Sequence, residues 1–154
     1  MTDFEPRWDM ITPLFAAISG EDHAYAPHEG PGSADATVLA IPTGDVPQPP
    51  KLPEGGGISE APLEEYDVVE LTIWGRPAAQ GRIAFGDGVA AIGGFGFAAD
   101  DADGRLGAAV VSALAEEAFL EGAEWLVTVI DGDPAAIPPY LAQGWTEAAK
   151  VSAR

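Results

Sequence analysis

Residues 88–145 constrain the fold more than any other part of the chain. A glycine-rich apolar stretch at residues 89–97 predicts a strand, residues 105–121 have the spacing of an amphipathic helix, and residues 125–130 are almost all apolar. A strand, a helix and a second strand in this order form a β-α-β unit, whose two strands lie parallel in one sheet. The apolar second strand indicates a position inside the sheet with both faces covered. The sequence therefore predicts an α/β protein.

The first part of the chain carries fewer signals. Residues 10–18 place apolar side chains on one face at helical spacing, which predicts a helix. Thr12 and Pro13 have the residue types of an N-cap and a first helical position, so one interpretation starts the helix there. A second interpretation starts it at Asp3, and Pro13 then bends it. Residues 36–41 are apolar and predict a strand.

The middle of the chain changes from loop-like to strand-like. Residues 42–61 contain five prolines and four glycines. This composition predicts a long surface loop without regular structure, which serves either as a substrate lid or as an inert excursion. Residues 67–74 and 80–85 then predict two strands, joined by tight turns to each other and to the strand at residues 89–97. Together they predict an antiparallel meander, and residues 146–152 predict a last strand.

The charge of the chain restricts its partners. Twenty-five acidic residues face seven basic ones, for a formal net charge of −18. Such a surface repels the phosphates of nucleic acids and of anionic membranes, so neither is expected as a partner. It attracts cationic partners such as polyamines or basic peptides; the alternative is that the charge only keeps the protein soluble.

Other features of the composition predict a cytoplasmic protein without a metal. The chain has no cysteine, which excludes disulfides, a thiol nucleophile and a thiolate metal site. Its N-terminus lacks an apolar signal core, and no stretch approaches the ~20 apolar residues of a membrane span. His23 and His28 stand near acidic residues in a loop-like stretch without the rigid spacing of a metal site. We expect one soluble domain over residues 1–154.

A second motif follows the β-α-β unit. It runs Asp133-x-x-Ala136-x-x-x-Tyr140-x-x-x-Gly144-Trp145. Together with the strand, acidic turn and helix before it, this order resembles the acyl-CoA-binding half of GCN5-related N-acetyltransferases, where the run is Asn-x-x-Ala-x-x-x-Tyr-x-x-x-Gly-Phe. Asp133 replaces the asparagine and Trp145 replaces the phenylalanine, while the other three positions match.

The resemblance implies a fold and a set of binding residues. The fold is a mixed, mostly antiparallel sheet flanked by helices, in one domain whose residues 64–154 bind acyl-CoA and whose residues 1–63 diverge. Acetyl-CoA is then the co-substrate. Backbone groups of the glycine-rich strand hold its pantetheine arm, the helix start holds its pyrophosphate, and the second motif lines its thioester end. The residues implied for this binding are Gly94, Phe95, Gly96, Phe97, Gly104, Arg105, Gly107, Ala108 and Ala136.

The resemblance also implies a reaction, the direct transfer of an acyl group from acyl-CoA to a small or peptidic amine. Tyr140 has the position of the general acid that protonates the leaving thiolate, and a phenol with a pKa of about 10 is protonated at neutral pH. The alternative is that the Tyr140 ring only packs and its hydroxyl bonds a backbone carbonyl. Residues after the parallel strand lie where α/β sheets place ligands. The candidates for the catalytic base are Asp133, Asp131, Glu70, His23 and His28.

Departures from the family pattern keep other hypotheses open. The pyrophosphate motif Gln/Arg-x-x-Gly-x-Gly/Ala keeps only Gly107 in one register. In a second register, Gly104-x-x-Gly107-x-Ala109, it keeps the small residues but lacks the Gln or Arg. Three aspartates before the helix would either oppose a phosphate or satisfy the helix dipole: Asp100, Asp101 and Asp103. The family continues into one more strand after the last strand predicted here, which predicts an open sheet edge and, as a hypothesis, a homodimer. The alternative functions are an inactive binding or regulatory module with this fold, and an acidic mimic that occupies a nucleic-acid-binding protein.

Overall fold

The computed structural model describes residues 8–19, 25–27, 36–47, 51–52, 54–63, 66–98, 105–131 and 137–153. Its helices are α1 (Trp8–Ser19), α2 (Arg105–Leu120) and α3 (Ile137–Ala142), with a 3-10 helix at Thr43–Asp45. Its strands are β1 (Tyr25–Pro27), β2 (Ala36–Pro42), β3 (Gly56–Pro62), β4 (Asp67–Ile73), β5 (Arg76–Phe85), β6 (Val89–Phe97), β7 (Trp125–Asp131) and β8 (Thr146–Ala153). No helix within these ranges has the length and apolar character to span a membrane.

The eight strands form one sheet in the order β1-β8-β2-β7-β6-β5-β4-β3. Strand β6 pairs with β7 in parallel, and the other pairs of described strands are antiparallel. Helix α2 connects the two parallel strands, as the β-α-β pattern predicts. The predicted mixed, mostly antiparallel α/β sheet is therefore confirmed.

The central strands are covered on both faces. Neighbouring residues of β2 point to opposite sides, because Val38 belongs to a core cluster with α1 and Leu39 to a second cluster with α2. Helix α2 contributes a buried stripe to the second cluster: Leu106, Ala109, Val110, Val111, Leu114, Ala115 and Ala118. A helix on each face explains why β2 and β7 are apolar over nearly their whole length.

The approach of α2 to the sheet depends on Gly81 of β5. A Cβ atom at this position would lie 2.8 Å from Cγ1 of Val110 and 2.9 Å from Cδ1 of Leu114. Real Cβ atoms do not come this close to their neighbours, so any side chain at Gly81 would push the helix away. The glycine therefore lets α2 lie directly on the sheet.

One of the two predicted starting points of the first helix is wrong, and the other lies outside the described residues. The described helix begins at Trp8, so Thr12 is not its N-cap and Pro13 lies inside it, while Asp3 is outside the described residues. Three side chains of this helix are buried in the first core cluster: Ile11, Phe15 and Ile18. Burying each of them gains about 1.5–3 kcal/mol, whereas an internal proline costs about 3 kcal/mol. Packing of the apolar face therefore outweighs the interruption by Pro13.

The predicted loop at residues 42–61 is wrong in its second half. Strand β3 lies there and pairs with β4 along its whole length, from Gly56 opposite Ile73 to Pro62 opposite Asp67. It is the edge strand, and an edge tolerates glycine and proline that a central strand would not. Local composition indicated a loop, but pairing with β4 supplies the backbone hydrogen bonds that a regular strand needs.

The predicted open edge beside the last strand is also wrong. Strand β8 pairs with β1 on one side and with β2 on the other. Strand β2 comes from the N-terminal half of the chain, and it lies between β7 and β8. Because β1 covers residues 151–153 of β8, the last strand is not a wholly open edge, and this edge gives a weaker argument for a homodimer.

Candidate functional site

The parallel strands β6 and β7 separate partway along the sheet. Their ladder runs from Val89 opposite Trp125 to Ile92 opposite Thr128. Beyond that point β6 continues to Phe97 and β7 to Asp131 with no further pairing between them. Two strands that part in this way leave a wedge-shaped cleft between their carboxyl ends, the side on which α/β sheets bind ligands.

A side-chain hydrogen bond marks the closed end of this cleft. The hydroxyl Oγ1 of Thr128 donates to the carbonyl oxygen of Ile92 at 2.9 Å, and Thr128 is almost fully buried. The bond uses the carbonyl oxygen of Ile92 at the last paired position of β6 and β7. It therefore links the two strands where they begin to diverge. Sequence reasoning missed Thr128, although a single polar residue within an otherwise apolar strand was a visible signal.

Strand β6 has a bulge in its pairing with β5, beyond the point where its pairing with β7 ends. In the pairing with β5, Gln80 lies opposite Gly96 and Arg82 opposite Gly93, so Gly81 faces two residues of β6. Gly94 lies in this bulge with φ of +61°, a conformation that favours glycine. The glycines of this strand were interpreted as either a bulge or a place where a ligand approaches the backbone. The bulge is confirmed, and it lies on one arm of the cleft.

Apolar side chains reach both arms of the cleft on the side of α2. Phe95 of β6, Ile130 of β7 and Tyr140 of α3 are partly buried, and each packs against the same core cluster. Phe97, the last residue of β6, is half exposed. The arms of the cleft therefore carry apolar side chains that face α2, Phe95 on β6 and Ile130 on β7, and β6 carries the glycines as well.

Tyr140, the predicted general acid, lies in α3 beside Trp145. The two rings meet edge to face, with centroids 5.5 Å apart and planes at 89°. The backbone carbonyl of Tyr140 accepts hydrogen bonds from the N–H groups of Gln143 and Trp145, which closes the turn after the helix. Burial raises the pKa of the Tyr140 phenol above its usual value, because desolvation disfavours the phenolate. The hydroxyl therefore keeps its proton at neutral pH.

The predicted pyrophosphate residues are only partly within the described structure. Arg105 is the first residue of α2 and is exposed, while Gly107 and Ala108 follow in its first turn and are half buried. The other predicted positions of the site lie outside the described residues: Gly104, Asp133, Ala136, Asp100, Asp101 and Asp103. The first turn of α2 and the cleft lie at the same edge of the sheet, because α2 follows β6 in the chain.

The candidates for the catalytic base are spread over the molecule. Glu70 of β4 lies opposite Gln80 of β5, and its neighbours Val69 and Leu71 face α2, so Glu70 faces the other side. Two strand spacings separate β4 from β6, roughly 10 Å. Asp131 is the last residue of β7 and stands on an arm of the cleft. His23 and His28 lie outside the described residues.

Two other features of the described residues lie apart from the cleft. A cavity of about 360 Å³ separates the 3-10 helix from the second half of α2, and it contains none of the predicted site residues. Its lining includes Thr43, Val46, Ser112, Glu116 and Phe119. Within the described ranges, no three His, Cys, Asp or Glu side chains are placed so that they could hold one metal ion.

Four carboxylates meet where α2 crosses the outer strands. Glu117 and Glu121 lie on α2, Glu60 on β3 and Asp67 on β4. A hydrogen bond with Glu60, then burial, then repulsion by the other carboxylates raise the pKa of Glu117 to about 7. Burial followed by repulsion from Glu121 and Glu60 also raises the pKa of Asp67. Two carboxyl groups that share a hydrogen bond need one proton, so this contact depends on pH.

Stability is therefore expected to fall as the pH rises through neutrality. Because the folded state raises the Glu117 pKa from 4.5 to about 7, its contribution is fully present below pH 4.5 and is lost as the pH rises through about 7. The neutral variant Glu117→Gln removes this titration, so its melting temperature should change less across that window. Thermal unfolding of both proteins from pH 4.5 to about 8 measures the difference.

The control for this prediction is Glu116→Gln, which changes an exposed glutamate at the next position of the same helix. Its unfolding should follow the wild-type pH dependence. Equal pH dependence of the wild type and the Glu117→Gln variant would contradict the assignment of the shared proton.

Known structures resemble this chain, although no protein-family model and no curated protein match it. A GCN5-related N-acetyltransferase from Kribbella flavida is 20% identical with a TM-score of 0.61, over 84% of this chain and 58% of that one. A second one from Sphaerobacter thermophilus is 17% identical with a TM-score of 0.59, over 84% and 51%. A protein of the GNAT family from Novosphingobium aromaticivorans is 17% identical with a TM-score of 0.54, over 86% and 72%.

The chain spans between 51% and 58% of the length of the first two of these structures. At identities of 17–20% the likeness concerns the backbone arrangement. The chain therefore has the fold of the GCN5-related N-acetyltransferases.

Proposed function

We propose that the protein transfers an acyl group from acyl-CoA to the amino group of a small or peptidic acceptor. One observation carries the proposal. Strands β6 and β7 part after Ile92 and Thr128, next to a bulged, glycine-rich strand end. An extended ligand arm can pair with a strand edge of this kind through backbone hydrogen bonds, as an added strand does.

The residues of the cleft fit a pantetheine arm. The cleft side of residues 93–97 has no strand partner within the described part of the chain, which leaves amide groups of β6 for a ligand. Gly94 and Gly96 keep side chains away from this edge, and Phe95 and Phe97 offer apolar surface beside it. We assign the backbone groups of Gly94, Phe95, Gly96 and Phe97 to binding of this arm.

The first turn of α2 would hold the pyrophosphate of the ligand. Arg105 supplies a guanidinium group, whose planar set of N–H donors matches the geometry of a phosphate. Gly107 and Ala108 are small and allow a close approach to the helix backbone. The positive end of the helix dipole adds to the attraction for an anion.

Tyr140 would act as the general acid. Bound acyl-CoA supplies a thioester, whose carbonyl carbon forms a bond with the acceptor nitrogen while the carbon–sulfur bond breaks. The amine gives up one proton, and the phenol of Tyr140 donates another to the departing sulfur. A raised phenol pKa keeps this proton in place at neutral pH. Asp131, the last residue of β7, and Asp133, two positions further along the chain, are our candidates for the group that accepts the amine proton.

The acceptor is proposed to be cationic. The net charge of −18 gives the surface a strong negative potential, which raises the local concentration of positively charged molecules. An aliphatic amine is protonated at neutral pH and is attracted as a cation before it loses a proton for attack. Polyamines and lysine-containing peptides are therefore the first acceptors to test.

Binding of acetyl-CoA should stabilise the folded protein. A ligand that binds only the native state at 100 times its dissociation constant adds about 2.7 kcal/mol to the free energy of unfolding. The melting temperature should therefore rise as the acetyl-CoA concentration passes the dissociation constant. Above it, the rise should follow the logarithm of the concentration. Thermal-shift titration measures this, with isothermal calorimetry as a second method.

The control ligand is ATP, which carries phosphates and adenine but no pantetheine arm, and it should give a smaller shift. An unchanged melting temperature at millimolar acetyl-CoA would contradict the proposal and favour a binding or regulatory module with this fold.

A further inference from the structure

Arg82 of β5 contacts three separate parts of the molecule next to the cleft. Its Nη1 atom donates a hydrogen bond to the backbone carbonyl of Ile18 in the last turn of α1, at 2.8 Å. Its guanidinium carbon lies 4.7 Å from the centre of the Tyr66 ring. A cation near the carboxyl end of a helix and above an aromatic face is favourable on both counts. Sequence reasoning did not single out this residue.

The aliphatic part of Arg82 lies against the bulge of β6. A Cβ atom on Gly94 would be 2.7 Å from Cδ of Arg82 and 3.1 Å from its Cγ. The arginine stem therefore fills the space that a side chain at Gly94 would need. The end of α1 also reaches this strand, because a Cβ atom on Gly93 would lie 3.3 Å from Cγ2 of Ile18.

These contacts concern a part of β6 that has no strand partner on the β7 side among the described residues. Up to Ile92 the strand is held between β5 and β7, whereas residues 93–97 are paired with β5 alone. A bulged strand with one free side is easier to displace than a strand held on both sides. Arg82 connects this segment to the end of α1 and limits its movement.

The arrangement is not the one that stability alone would favour. The Nε atom of Arg82 is buried and has no hydrogen-bond partner within the described residues. A buried donor without a partner is unfavourable, so the other contacts of the side chain hold it in place. A buried Nε donor without a partner, beside the cleft, points to a role of Arg82 in ligand binding.

We propose that Arg82 is a positioning residue, which fixes the bulge of β6 and thereby the direction of the backbone groups that receive the pantetheine arm. The inference rests on the proposed function. Arg82 touches no reacting atom, and it acts through Gly94 and the rest of the bulge.

The test compares Arg82→Met with Arg76→Met. The first variant keeps an aliphatic stem but loses the guanidinium. The second changes an exposed arginine at the start of the same strand. Calorimetry with CoA and with adenosine 3′,5′-diphosphate, which lacks pantetheine, separates the two parts of the ligand. Arg82→Met should weaken CoA binding about tenfold, as expected for the loss of roughly one well-placed hydrogen bond. Its affinity for the nucleotide fragment should stay unchanged, and Arg76→Met should match the wild type for both ligands.

Hydrogen exchange supplies a readout that does not depend on ligand binding. Amides of residues 93–97 should exchange faster in Arg82→Met than in the wild type, by about tenfold, while those of β7 should not change. Arg82→Lys keeps the charge and should recover part of both effects.

The outcomes distinguish the two proposals. Unchanged CoA affinity and unchanged exchange in a folded Arg82→Met protein would overturn the positioning role. Equal weakening of CoA and of the nucleotide fragment would also overturn it, because the effect would then be general. If the wild type binds no CoA, the proposed function fails, and faster exchange would show that Arg82 holds the strand for stability alone.

Discussion

Replacing Tyr140 by phenylalanine is expected to lower the rate of acyl transfer by about 10²–10⁴-fold, the usual contribution of a general acid. The variant loses only the hydroxyl group, so the ring should keep its edge-to-face contact with Trp145. Dissociation constants for CoA should remain within about twofold of the wild type, because the phenol acts on the leaving group during the reaction. Steady-state kinetics with acetyl-CoA and spermidine, together with calorimetry, measure both quantities.

The control for this variant is Leu141→Ala, which changes an exposed residue of the same short helix. It should leave kcat close to the wild-type value. Because burial raises the pKa of the Tyr140 phenol, its deprotonation should not lower the wild-type rate at any pH below about 10. A Tyr140→Phe enzyme with wild-type kcat would remove Tyr140 from the reaction and leave its ring as a packing element.

Replacing Trp145 by alanine is expected to lower the free energy of unfolding by about 3–5 kcal/mol, the range for removal of a large buried aromatic side chain. Trp145 is only 2% exposed and belongs to the core cluster beneath α2. Its removal would leave a cavity beside Tyr140, whose ring meets the indole edge to face. Urea denaturation followed by circular dichroism measures the change.

Two further variants decide whether packing explains this loss. Trp145→Phe should lose much less stability, because the indole Nε1 has no hydrogen-bond partner within the described residues and most of the apolar contact is kept. Phe119→Ala removes an aromatic side chain that is 67% exposed, so it should change stability by no more than about 0.5 kcal/mol. A small effect of Trp145→Ala would mean that the core collapses around the missing ring.

Some of the fold could be predicted because the signals are local. The helix α2 and the strands β6 and β7 each show their periodicity within a short window, and each appears close to its predicted bounds. Strand β3 could not be predicted, since its glycines and exposed side chains carry no alternating pattern. Its order depends on pairing with β4, which composition does not reveal.

The candidate site shows the same limit. The resemblance implied a role for Tyr140 that stays a prediction, and the glycines indicated the bulge that β6 shows. However, the cleft depends on where the pairing between β6 and β7 ends, at Ile92 and Thr128. These two residues are far apart in the sequence, so their pairing leaves no local pattern. The contact between Arg82 and Ile18 joins positions 64 residues apart. Such long-range contacts depend on the topology of the whole chain, so no local sequence pattern predicts them.

The position of β2 between β7 and β8 has a consequence for how the protein is made. Val38 pairs with Val129 on one side and with Ala149 on the other. On the ribosome, β2 emerges long before either neighbour, and its apolar edges then have no partner. The sheet is completed only when the final strand leaves the exit tunnel, so a nascent chain stalled before that point would be a substrate for chaperones.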